Sequence, residues 1–251
     1  MANTTNSIQK TRQPLMDSSC REHIFSSLYC AISHDMRTPL ANIIGRSLTL
    51  QENWELLSAH EKIGSVAQIH ENSERLMSMV DNLLAITRVR EEDPDIHVKE
   101  ELLEEVVGEA LEKLKKHHPN RTVHVKIPES YIFLPMDAAL IEQVLLNLLE
   151  NALNCSAETE PVEIKIEDMG NTVSFVIKDY GDHIPEDILN SLLGSLACTS
   201  PRTMDTHKRS GLMLITCKAI LEAHQGVLTA RNHSNGMEFT FKLPKQKEEA
   251  I

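Results

Sequence analysis

Residues 33–45 of this chain, SHDMRTPLANIIG, place reactive side chains and a proline in one short stretch flanked by apolar residues. His34 is followed directly by Asp35, and Thr38 lies one helical turn beyond the histidine. The apolar residues on either side recur at helical spacing, which leaves His34 on the opposite, exposed side of a helix. An exposed imidazole beside a carboxylate can be held in one tautomer and act as a nucleophile. This is the chemistry needed to accept a phosphoryl group, although a single histidine beside an aspartate on a helix surface is more often simply a solvated polar residue.

A pair of long helices is needed to position this histidine. Apolar residues recur at steps of three and four from Phe25 to Ile43, and a second helical pattern runs from Val66 to the acidic stretch around Pro94. We expect a helical hairpin over residues 23–93, preceded by a flexible or linking segment at 1–22. Because two helices alone cannot cover their own apolar stripe, the hairpin should form a homodimeric four-helix bundle.

The pattern from residue 94 to 246 alternates helices with strands and predicts a separate domain, followed by a tail at 247–251. Two pairs of period-2 segments joined by short turns indicate hairpins, so the sheet should be largely antiparallel. The fold class is therefore α+β, with a two-layer sandwich after the bundle. Helices are expected over 100–116, 137–153 and 211–224, and strands near 122–127, 162–168, 172–179, 226–232 and 237–243.

The composition narrows the class of function. A formal net charge of −12 over 251 residues disfavours binding to nucleic acid or to anionic lipid. No stretch of 18 apolar residues and no apolar leader is present, so we expect no membrane segment in this chain and a cytoplasmic location. The five cysteines have no C-x-x-C spacing, which indicates reduced thiols rather than a zinc site.

The first motif resembles the H box of the sensor histidine kinases of two-component systems, which has the form H-[DE]-x-R-T-P-L. The resemblance implies that His34 is the phosphoacceptor, that Asp35 is the base for phosphorylation, and that Thr38 assists dephosphorylation of a partner. The later segment NSERLMSMVDNLLAITRV is similar to the second hairpin helix of the Kdp-type branch of that family.

Three further motifs resemble the ATP-binding domain of the same family, a Bergerat-type fold shared with gyrase and MutL. Two amides one turn apart in LLNLLENAL, Asn147 and Asn151, can converge on one ligand, and the matching N box implies Mg²⁺ binding at Asn151. KDYGDHIP resembles the G1 box, in which Asp179 would accept a hydrogen bond from adenine. The residues implied in ATP binding are Asn147, Asn151, Asp179, Gly181, Gly211 and Leu212, the last two from the G2 box in KRSGLMLITCKAI.

Several glycines of these boxes are replaced. His183, Arg209 and Met213 occupy positions that are glycine in the family pattern, and Asn154 replaces a frequent lysine or arginine. A Cβ at such positions can block the close approach of backbone N–H groups to phosphate, although Arg209 offers a charge of its own. The segment from Ser195 to Ser210, where the family has its ATP lid, is divergent.

The resemblance implies a histidine kinase core that uses ATP and Mg²⁺ to phosphorylate His34 and passes the phosphoryl group to an aspartate of a response regulator. An alternative is a degenerate kinase that acts through Thr38 as a response-regulator phosphatase or through the hairpin as a scaffold. An unrelated ATPase of the same fold is a third reading. The replaced glycines distinguish the first alternative from the second, because the kinase requires an effective ATP site and the phosphatase or scaffold does not.

Overall fold

The computed structural model describes residues 18–90, 96–186, 189 and 211–246, and its first part is a hairpin of two long helices. Helix α1 spans Ser18–Asn53 and helix α2 spans Ala59–Arg90. A capping box fixes the start of α2: the Ser58 N–H donates to Glu61 Oε2 at 2.8 Å, and the Glu61 N–H donates to Ser58 Oγ at 3.3 Å. The two helices pack against each other.

The first helix begins earlier than the apolar pattern indicates. Residues 18–22, which we expected to precede the hairpin, form the start of α1. Pro39 lies inside this helix, where it is buried, and the helix continues past it to Asn53. None of the helices described is long and apolar enough to cross a membrane.

The second part of the chain is a layered α+β domain. Its central helix is α4, whose first turn is capped by Asp137: the side chain accepts a hydrogen bond from the Leu140 N–H at 3.2 Å. The elements are β1 (Lys99–Leu102), α3 (Leu103–His117), β2 (Val123–Lys126), β3 (Phe133–Met136), α4 (Ala138–Cys155), β4 (Val162–Asp168), β5 (Thr172–Lys178), α5 (Gly211–Ala223), β6 (Val227–His233) and β7 (Gly236–Pro244).

Five strands form a mixed sheet in the order β2-β4-β5-β7-β6, in which only the β2–β4 pair is parallel. One face packs against the helices, and the other carries polar side chains. Phe175 and Phe241 stack in the core between the layers with ring centroids 4.2 Å apart. Fully buried leucines of α4 cover them, so the predicted two-layer sandwich is confirmed.

Two short strands differ from the sequence-based expectation. Residues 99–102 form β1 rather than the first turn of a helix, and they pair antiparallel with β3, which the sequence did not indicate. Glu100 lies opposite Pro135 in this pair. The acidic, leucine-containing segment has high helix propensity, but pairing with a distant strand overrides that local preference.

Candidate functional site

The predicted phosphoacceptor segment lies in the middle of α1. His34 and Asp35 are helical, and their side chains are outside the part of the structure that is described. Thr38 is exposed, as is Arg37 before it. Met36 packs against a small apolar cluster formed by α2 and α5, so this stretch of α1 contacts the layered domain directly.

The carboxyl group of Asp179, at the end of β5, is almost completely buried and is held by backbone groups. Its Oδ1 accepts hydrogen bonds from the N–H groups of Gly181 and Met237, each at 3.0 Å. Its backbone carbonyl accepts from His233 Nε2 at 2.9 Å. Oδ2 is buried and has no hydrogen-bond partner among the residues described. A buried carboxylate oxygen without a donor is costly, so its position indicates a place for a donor from a ligand.

The environment of Asp179 shifts its ionisation. Burial raises the pKa of the Asp179 carboxyl above its ordinary value, and this effect outweighs the backbone hydrogen bonds from Gly181 and Met237 and the nearby His233 and His183, which lower it. A carboxylate with a raised pKa is stabilised by any added donor. A ligand amino group beside Oδ2 would therefore supply the hydrogen bond that no described residue donates to this atom.

Two glycines allow the backbone to close around this carboxyl group. A Cβ at Gly181 would overlap the backbone carbonyl of Cys155, at the end of α4. A Cβ at Gly236 would overlap the backbone carbonyl of Asp179 itself. Gly181 was predicted from its motif, whereas Gly236 was missed because a lone glycine in a turn between two strands has no distinctive spacing.

The segment after Asp179 is fixed to the neighbouring strand β6. The Ile184 N–H donates to Asn232 Oδ1 at 3.1 Å, and Asn232 Nδ2 donates to the Ile184 carbonyl at 2.8 Å. Together with the hydrogen bond from His233, this pair holds residues 179–184 in place. Neither Asn232 nor His233 was predicted, since their role depends on a contact across about fifty positions of sequence.

The two amides of α4 have different surroundings. Asn147 is buried and faces α2, where its Nδ2 donates to Asn82 Oδ1 at 2.7 Å. Asn151 is half-buried, one turn nearer the end of α4 that contacts residues 180 and 181. Of the pair that was predicted to converge on one ligand, the structure thus places Asn147 against the hairpin and Asn151 one turn closer to the end of α4.

Two family matches cover the parts of the chain that hold these features. Residues 28–92 match the His Kinase A (phospho-acceptor) domain, and residues 136–247 match the histidine kinase-, DNA gyrase B- and HSP90-like ATPase domain. The first range contains His34 and the second contains Asp179. This chain belongs to the sensor histidine kinases.

Individual relatives agree with this assignment to the histidine kinases. The chain is 39% identical over 227 residues to the sensor protein KdpD of Clostridium acetobutylicum and 31% identical over 229 residues to that of Escherichia coli, which confirms the Kdp-type resemblance. Each match covers 90% of this chain but 25% of the relative. A solved complex of histidine kinase ThkA with response regulator protein TrrA has the same fold, with a TM-score of 0.65 and 21% identity over 92% of this chain and 66% of that one.

The replaced glycines of this histidine kinase core lie in different surroundings. His183 is exposed, and Met213 is buried in the domain core, where Cys217 Sγ lies 3.8 Å from its sulfur. Arg209 and the divergent lid from 195 to 210 lie outside the described residues. Gly211 begins α5, and Leu212 is buried against Ile86 of α2. The Met213 side chain therefore contributes to packing within the domain.

The described residues offer few side chains that could together bind a metal ion. Among the residues described, no group of three or more histidine, cysteine, aspartate or glutamate side chains is arranged to hold a metal ion. Mg²⁺ commonly takes one or two ligands from the protein and completes its shell with phosphate oxygens and water. A single side-chain amide such as that of Asn151 is compatible with that mode of Mg²⁺ binding.

Proposed function

We propose that this chain is the core of a histidine kinase that transfers the γ-phosphoryl group of ATP to His34 and then to an aspartate of a response regulator. The observation that carries the proposal is the buried Oδ2 of Asp179, which has no donor among the described residues. It supports nucleotide binding despite the replaced glycines. The match of residues 28–92 to a phospho-acceptor domain supports His34 as the acceptor.

Adenine recognition follows from the hydrogen bonds of Asp179. Because Oδ1 already accepts two backbone N–H groups, only Oδ2 remains to accept from the exocyclic amino group of adenine. Guanine carries an oxygen at the corresponding ring position, so it would place an acceptor against an acceptor. The site should therefore prefer ATP over GTP, since an unpaired buried polar group costs about 1–3 kcal/mol.

Phosphoryl transfer would use the side chains of the H box. His34 would attack the γ-phosphorus while Asp35 holds the ring and accepts its proton, and the bond from the γ-phosphorus to the bridging oxygen would break with release of ADP. Asn151 would hold Mg²⁺, which supplies charge neutralisation at the phosphates when bound. The resulting phosphohistidine could then donate to an aspartate of a response regulator, a partner class suggested by the complex in which ThkA was solved.

A homodimer is part of the proposal. Among the residues described, exposed apolar side chains line each helix of the hairpin at steps of three or four, apart from one step of eleven between Val66 and Met77. An exposed patch of this size on a helical pair favours association into a four-helix bundle. The residues are Leu40, Ile44, Leu48, Ile63, Val66, Met77, Val80 and Leu84.

A second function remains open because of the altered glycine boxes. Thr38 is exposed on α1, so a partner could approach it even if the nucleotide site were inactive. In that case the chain would act as a response-regulator phosphatase or as a scaffold. The two functions differ in whether the protein labels itself from ATP.

The deciding experiment is incubation of the purified protein with Mg²⁺ and γ-labelled ATP. We expect protein-bound label that is lost in acid and kept in base, as phosphohistidine requires. His34→Gln should abolish the label, with His60→Gln on the exposed surface of α2 as the matched control. A folded dimer that takes no label would contradict the kinase proposal and favour the phosphatase or scaffold. Label that persists in His34→Gln would place the acceptor elsewhere.

A further inference from the structure

The interface between the hairpin and the ATPase-type domain contains a buried amide, Asn82 of α2. Asn82 is only 4% exposed. Burying an amide is costly unless each polar atom is paired. The hydrogen bonds that Asn82 makes therefore indicate its structural role.

Asn82 joins three helices through its hydrogen bonds. Its Oδ1 accepts from Asn147 Nδ2 at 2.7 Å and from Gln143 Nε2 at 3.3 Å, both on α4. Its Nδ2 donates to the Ser78 carbonyl in its own helix at 2.9 Å and lies 3.4 Å from Asn147 Oδ1. Its backbone carbonyl lies 3.5 Å from Thr216 Oγ1 of α5, a hydroxyl whose shorter hydrogen bond, at 2.9 Å, goes to the Leu212 carbonyl. The amides thus satisfy one another across the domain boundary.

A second polar contact lies six residues further along α2. Arg88 forms an ion pair with Asp137 at 3.3 Å, and Asp137 caps α4. The Asp137 N–H in turn donates to the Nε2 of buried His224, beyond the end of α5. Since α4 runs from Asp137 toward Asn147 while α2 runs from Asn82 toward Arg88, the two helices are antiparallel and are joined at two levels.

The apolar part of the interface fixes which side of the hairpin is covered. Leu212 and Ile215 of α5 pack with Ile86 of α2, and Met36 of α1 lies against them. Position 34 precedes position 36 by two residues, which is about 200° around a helix. The domain therefore rests on the side of α1 that carries Met36, and the backbone of position 34 lies on the opposite side of this helix.

We propose that Asn82 is an interdomain latch: a positioning residue that holds the ATPase-type domain on α2 through Asn147 and Gln143 and delays phosphoryl transfer until it opens. An amide latch suits reversible opening because water replaces its hydrogen bonds when the domains part. An aliphatic residue at this position would instead lose burial of its whole surface. The delay of phosphoryl transfer rests on the proposed kinase function, whereas the role of Asn82 in holding the two domains together does not.

Three single variants test the latch in the full chain. Asn82→Ala removes all three hydrogen bonds to α4, and Gln143→Ala removes one of them without substituting a predicted nucleotide residue. Asn72→Ala is the matched control, because Asn72 lies on the same helix and donates to its own i−4 carbonyl, but its other partner is Asn42 of the hairpin. Small-angle X-ray scattering and amide hydrogen exchange report domain position without any requirement for activity.

We expect Asn82→Ala to increase the maximum dimension of the particle and to raise amide exchange in residues 211–216 by about tenfold, which is about 1.4 kcal/mol. The kcat for autophosphorylation should rise by a similar factor while KM for ATP stays within about twofold, because the nucleotide residues are unchanged. Gln143→Ala should give a smaller shift in the same direction, and Asn72→Ala should match the wild type.

Two outcomes would overturn the proposal. Unchanged dimensions and exchange in folded Asn82→Ala would show that Asn82 does not hold the domain. An expanded particle with unchanged or lower kcat would show that the contact does not delay transfer. If Asn82→Ala does not fold, Gln143→Ala gives the same decision. If the wild type takes no label, the kinase proposal fails, and scattering and exchange still decide whether Asn82 is a latch.

Discussion

The carboxyl group of Asp179 uses one oxygen to accept hydrogen bonds from the protein, and its other oxygen has no partner among the described residues. In Asp179→Asn the amide oxygen must take the place of Oδ1, because two backbone N–H groups point at it. The NH₂ group then occupies the place of Oδ2 and meets the amino group of adenine, donor against donor. We expect ATP affinity to fall by about tenfold to a hundredfold, as loss of a buried hydrogen bond predicts, measured by titration calorimetry.

The same substitution carries its own controls. GTP presents an acceptor where ATP presents a donor, so Asp179→Asn should narrow or reverse the preference for ATP. Asp168→Asn also changes an aspartate at the end of a strand, but its partners are Lys245 and Gly170, so ATP affinity should not change. Burial raises the pKa of Asp179. As the pH falls, the affinity of the wild type for ATP should therefore begin to decline at a higher pH than it would with an ordinary aspartate. Equal ATP affinity in Asp179→Asn would refute adenine recognition.

Short motifs predict single residues well when the chemistry is local. Asp179 and Gly181 lie two residues apart, and their hydrogen bond at 3.0 Å is part of one turn. Asn82 and Gly236 could not be found this way, because each matters through a partner more than fifty residues away. The spacing of Asn147 and Asn151 predicts a shared helix face, but it does not indicate that the helical hairpin covers Asn147.

At the scale of elements, the open face of the sheet contains a pair of like charges. Lys126 of β2 lies directly opposite Lys165 of β4, and both side chains are exposed. Like charges in such cross-strand pairs destabilise a sheet, whereas opposite charges stabilise it by a fraction of a kcal/mol. Lys126→Glu should therefore raise the free energy of unfolding by about 0.5 kcal/mol at low salt.

Urea denaturation at two salt concentrations measures this effect. Lys126→Gln removes the repulsion without adding an attraction and should lie between the wild type and Lys126→Glu. High salt should bring the three proteins together, since the charges are exposed. A stability order independent of salt would mean that strand propensity, rather than charge, determines the difference.

Sequence patterns predicted some strands of the domain and missed others. The strands β4, β5, β6 and β7 follow clear alternation, and their turns are short, so they were predicted close to their observed bounds. Strand β3 contains Pro135 and only four residues, and its partner β1 reads as a helix start. Neither has local features of a strand, because the pair is stabilised by contact with each other rather than by alternation.

At the scale of the whole molecule, the hairpin has apolar surface that one chain does not bury. Val66 on α2 is 55% exposed, and it lies in line with the other uncovered residues of the helix. In a four-helix bundle this position would become core, so Val66→Glu would bury a carboxylate there and disrupt association. We expect the wild type to be a dimer and Val66→Glu to be a folded monomer by sedimentation velocity.

The loop of the hairpin supplies the matched control for this prediction. Leu56 is more exposed than Val66, at 84%, but it lies between α1 and α2 rather than along either helix. Leu56→Glu should therefore leave the dimer intact, because an exposed apolar residue outside the helices is not part of the predicted dimer interface. If both variants dimerise, the bundle does not use this face of α2. If the wild type is a monomer, the apolar stripe has a different partner and phosphoryl transfer has to occur within one chain. Opening of the Asn82 latch would then be required for each turnover.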